Sequence, residues 1–94
     1  MKSEHARLSA TAGLETEISE VRAQIETQQE QFRLSSEFVS SVAGLAARGI
    51  VSDLDYKKRQ VAALEQKEKL DALDQQLAAR QNQLTEARFS LEQL

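Results

Sequence analysis

The residues that could do chemistry in this chain are few, and their spacing argues against catalysis. His5 is the sole imidazole and there is no cysteine, so neither a thiolate site nor a paired-imidazole metal site can form. His5 also sits in an N-terminal segment expected to fray. Carboxylates occur two residues apart, Glu15 with Glu17 and Asp53 with Asp55. On a helix such neighbours point in different directions and do not converge as an acid–base couple. Ser35, Ser36, Ser40 and Ser41 have no histidine near them to accept a proton and read as small polar helix residues. No glycine-rich phosphate loop or nucleophile elbow is present. The sequence therefore reads as non-enzymatic, with no metal and no cofactor.

The elements that carry these residues follow from composition. The 94 residues hold 15 Asp+Glu against 12 Lys+Arg, three glycines, no proline, no tryptophan and four aromatics. So few aromatics leave little to bury in a compact globule of this size. Ala, Glu, Gln, Leu, Lys and Arg dominate, and these are strong helix formers. A net charge of -3 gives no general attraction to nucleic acid or acidic lipid. No apolar run is long enough to cross a bilayer, and the start lacks the profile of a signal peptide.

Two arms flank one break. Gly44, Gly49 and the polar residues around Ser52 form the helix-breaking cluster, with Gly13 a second interruption near the start. Along the first arm, steps of four and three mark a seam: Leu14, Ile18, Val21, Ile25, Gln28, Phe32, Ser35, Val39, Val42 and Ala46. The second arm repeats the pattern at Tyr56, Arg59, Ala63, Gln66, Leu70, Leu73, Leu77, Arg80, Leu84, Ala87, Leu91 and Leu94. Both are heptad seams with polar gaps. Folded back on each other, Ile18 with Leu84, Ile25 with Leu77, Phe32 with Leu70, Val39 with Ala63 and Ala46 with Tyr56 all share one sum of residue numbers. Leu14 with Ala87 and Val21 with Arg80 share a sum one lower. Both fit a fold-back near Val51.

The predicted fold is all-α, two long helices forming an antiparallel coiled-coil hairpin. It is one domain over 1–94, with helix 1 at about 7–48, a tip loop at 49–51 and helix 2 at about 52–94. Each arm of about 40 residues would be roughly 60 Å long. Gly49 suits the left-handed position that ends a helix, with Ile50 meeting Leu45 in a Schellman motif. Ser52 is a good N-cap with Asp55 three residues on, and Val51 with Tyr56 has the spacing of a hydrophobic staple.

Apolar residues near the tip remain after the seam is assigned. Leu54, Val61 and Leu64 point about 170° from it, and Leu34, Phe38 and Leu45 form a stripe displaced by about 110°. They are candidates for lateral packing against other hairpins or a partner, the alternative being scattered surface leucines. Lys57, Lys58 and Arg59 form the only three-residue basic run and read as solvated helix surface.

The segment 45–60 resembles the hairpin tip of periplasmic adaptor proteins, the membrane fusion protein family of haemolysin- and colicin V-type secretion systems and tripartite efflux pumps. The family pattern is an Arg, a Leu four residues later and a Ser or Thr seven beyond, followed by an acidic-aromatic helix start. Leu45, Ser52 and Asp55-Tyr56 fit it, while Ser41 stands at the Arg position. The resemblance implies a periplasmic hairpin, excised from an adaptor with lipoyl-like and β-barrel domains and an inner-membrane anchor. It implies six adaptors in a funnel, bridging an inner-membrane ABC-type exporter to a TolC-type outer-membrane channel for secretion of a peptide or protein. Leu45, Ile50, Ser52 and Ser41 would be the tip residues that meet the channel. Leu34, Phe38, Leu54, Val61 and Leu64 would pack neighbouring hairpins. Leu45 and Ser52 are also accounted for by capping alone, and both readings stand at this stage.

Two other functions compete. A structural coiled-coil spacer would bury the off-seam leucines within a stable homodimer. A nucleic-acid-binding hairpin would need a basic face, and this chain offers only Lys57, Lys58 and Arg59.

Overall fold

The structure, a computed structural model, describes residues 2–93. Two helices account for most of them, α1 (Lys2–Ala47) and α2 (Asp53–Glu92). α1 starts ahead of the expected residue 7, so His5 is helical and exposed. It also runs through Gly13 and Gly44 without a break. A helical glycine costs about 1 kcal/mol relative to alanine, too little to interrupt a helix whose seam continues on both sides. No described helix is long and apolar enough to cross a membrane.

The chain divides into two compact units, Met1–Gln24 with Leu73–Leu94, and Ile25–Ala72. In the first, Ile18, Val21 and Leu84 are buried, with Leu14, Leu77, Ala87 and Leu91 half-buried around them. Ile18 and Leu84 border one groove, as the expected pairing requires. Arg7 Nη1 donates to the Ser90 carbonyl at 3.3 Å, Arg88 pairs with Glu15 at 3.1 Å, and Arg80 with Glu17 at 2.9 Å. Residue numbers rising along α1 fall along α2, so the segments of this unit run antiparallel. Arg80 stands on the seam and lies half-buried, its stem covering apolar surface while the guanidinium reaches out to Glu17.

The second unit holds the tip and a mixed core of Ile25, Val42, Ala63 and Gln28. Gln28 Nε2 donates both to the Gln66 carbonyl at 3.0 Å and to Gln66 Oε1 at 2.7 Å. Two of the polar seam positions thus satisfy one another, and no buried side-chain polar atom among the described residues lacks a partner. Arg59 leaves the seam and is exposed, with its guanidinium 4.4 Å from the centroid of the Phe38 ring in a cation–π contact.

Arg59 apart, the seam positions among the described residues are buried or half-buried, and Val39 and Ala63, an expected pair, line one groove. Two contacts depart from equal sums: Gln66 meets Gln28 in place of Ser35, and Arg59 meets Phe38 in place of Val42. Both are made by long side chains that reach along the facing helix. Leu94 lies outside the described residues.

Candidate functional site

The tip is closed by backbone geometry. Gly49 has φ of +74°, the left-handed conformation that glycine adopts without penalty. The Ile50 N–H donates to the Leu45 carbonyl at 2.9 Å and the Gly49 N–H to the Ala46 carbonyl at 3.0 Å. These are the two bonds of a Schellman motif. On the far side, Ser52 Oγ accepts from the Asp55 N–H at 3.1 Å, and the Tyr56 N–H donates to the Ser52 carbonyl at 3.1 Å. Ser52 is therefore the N-cap of α2. Asp53 and Asp55 stand in the first turn, where the helix dipole favours carboxylates.

With its backbone satisfied, the tip leaves specific side chains outward. Ile50 is 64% exposed, so the apolar contact that accompanies a Schellman motif encloses little of it, while Leu45 is half-buried. Ser52 is exposed, its hydroxyl engaged in the cap. Ser41 is exposed too, and its hydroxyl donates to the Glu37 carbonyl one turn back at 3.1 Å. The structure thus brings Leu45, Ile50 and Ser52 together at the reversal, and holds Ser41 on α1 ahead of it.

The flank residues separate onto two grooves of this unit. Val61 and Leu64 border one, with Phe32, Ser36 and Val39 of α1, and with Lys57, Gln60 and Lys67 on the α2 side. Leu34 and Phe38 border the other groove, with Ser35, Arg59 and Ala62. Leu34, Phe38, Leu54, Val61 and Leu64 are each about half or more exposed. Leu45, assigned to the Leu34 and Phe38 stripe, is partly covered. Two further exposed residues, Leu8 and Phe89, belong to the other unit. The sequence reading missed them because an isolated off-seam apolar residue carries no periodic signal.

Charge is local and mostly on the surface. Arg33 bridges Glu30 and Glu37 along α1, and its hydrogen bonds hold the Glu30 carboxyl below the usual carboxylate range. No group of three or more His, Cys, Asp or Glu among the described residues could hold a metal ion. No protein-family model, curated protein or solved structure matches this chain.

Proposed function

We propose that this chain is a non-catalytic bridging hairpin of the periplasmic adaptor type, acting between an inner-membrane ABC-type exporter and a TolC-type outer-membrane channel. Its task is geometric: the helices span distance, the flank stripes pack neighbouring hairpins, and the tip docks on the helical end of the channel. The observation that carries the reading is Ile50, an apolar residue 64% exposed at a turn already closed by hydrogen bonds to Leu45, Ala46 and Ser52. Folding does not need that side chain outward, and a docking surface does. The spacing of Leu45, Ser52 and Asp55-Tyr56 adds the family resemblance.

The test places a photocrosslinking residue at Ile50, with Lys69 on the arm as control, and mixes each variant with a purified TolC-type channel protein. Crosslinking from Ile50 and not from Lys69 supports the reading. Equal capture from both positions, or none from Ile50, refutes tip docking.

A further inference from the structure

The exposed face of α2 carries a second repeat, distinct from the seam. Lys57, Val61, Leu64 and Glu68 follow one another at steps of four, three and four, and all are exposed. Lys58 and Glu65 lie along one edge of the same stripe. The ion pairs among the described residues are made by Arg33, Arg80 and Arg88, and these lysines and glutamates form none with a described residue. Their order has a symmetry: Lys57 precedes Val61 by four residues, and Glu68 follows Leu64 by four.

We propose that this face binds a second copy of the chain, with the two α2 helices antiparallel about a twofold axis passing between Ala62 and Ala63. Reversing the stripe onto itself sets Val61 against Leu64 of the second copy, and Leu64 against its Val61. Lys57 then meets Glu68, a pair that occurs twice because a twofold interface is self-complementary. Phe32 and Val39, half-buried beside Val61 and Leu64, extend the apolar floor onto α1. Beyond Lys57 the stripe brings Leu54 opposite Asp71 and Ala72, which ends the apolar contact. Parallel alignment would instead oppose lysine to lysine and glutamate to glutamate, so the charges select direction as they do between coiled-coil helices. The proposal does not depend on the export reading.

Sedimentation equilibrium of the 94-residue chain at low salt, with far-UV circular dichroism to monitor helicity, tests it. The wild-type chain self-associates to a dimer. Lys57→Glu turns both symmetric attractions into repulsions and raises the dissociation constant roughly tenfold. Adding Glu68→Lys to that variant exchanges the signs and restores association to near the wild-type level. A second measurement exploits the absence of cysteine: Lys57→Cys mixed with Glu68→Cys oxidises to a disulfide-linked dimer, whereas either variant alone does so far more slowly. A chain that stays monomeric at millimolar concentration overturns the proposal. So does a double charge variant no better than Lys57→Glu, or faster oxidation of Lys57→Cys alone than of the mixture.

Discussion

The same chemical change, glycine to alanine, should have opposite effects at two positions only five residues apart. At Gly49 a new Cβ meets nothing within 4 Å, so neighbours contribute no clash and the whole cost lies in the backbone. An L residue held in the left-handed region costs about 1–2 kcal/mol, offset by about 0.4–1 kcal/mol because alanine restricts the unfolded chain. Gly49→Ala is therefore expected to destabilise by about 1 kcal/mol. Gly44 lies within α1, and a methyl group added there also meets nothing within 4 Å, so Gly44→Ala should stabilise by about 0.5–1 kcal/mol. The two variants would then differ by about 2 kcal/mol with the wild type between them. Urea unfolding followed by circular dichroism measures this, at one fixed chain concentration because self-association raises apparent stability. Equal urea slopes confine the effect to stability. If Gly49→Ala unfolds at or above the wild-type midpoint, the left-handed reversal is not where the chain turns, and the account of the tip fails with it.

Gln28→Ala removes two hydrogen bonds to Gln66 and is expected to lower stability by about 1–2 kcal/mol; a midpoint within error of wild type would exclude a structural role for the pair. Ser52→Ala should cost about 1 kcal/mol of helix capping while Ser52→Asp keeps most of it, which thermal unfolding of the two variants compares directly. Glu30 is held below the ordinary carboxylate range by its hydrogen bond from Arg33. Its contribution to stability is therefore present above the unfolded-state pKa and is lost as pH falls through the folded one. An NMR titration should place the Glu30 midpoint below that of an unpaired glutamate, and Arg33→Gln should abolish the difference.

The seam was legible because burial on a helix follows a period, and a period survives local errors. Ile18, Val21, Ile25, Val42 and Leu84 were assigned inward from spacing alone, and all are buried. The tip was legible for a different reason: Gly49 and Ser52 are residue types whose backbone preferences fit few other roles. The polar partners within the tip unit were not legible, because hydrophobic pattern says nothing of how far a long polar side chain reaches along the facing helix. Gln28 and Gln66 read as gaps, since sequence gives no means of knowing that one glutamine would satisfy the other. Arg59 similarly counted as a seam position until Phe38 offered its ring face.

The flank residues carry the strongest reason to expect association. No side chain among the described residues is wholly enclosed, as expected where two helices bury only one stripe each. Apolar residues beside that stripe therefore gain little from folding and most from a partner. The two candidate assemblies draw on different stripes. Antiparallel pairing covers Val61 and Leu64 and is governed by Lys57 and Glu68. In a parallel ring, α2 faces of neighbours cannot meet each other without opposing like charges, so α2 of one hairpin must lie on α1 of the next, against Leu34 and Phe38. Leu34→Asp should then weaken ring assembly and leave the isolated dimer intact, while Lys57→Glu weakens the dimer. A loss of dimer on Leu34→Asp, with helicity unchanged, would place the second copy on the Leu34 groove and remove the basis for separating the two.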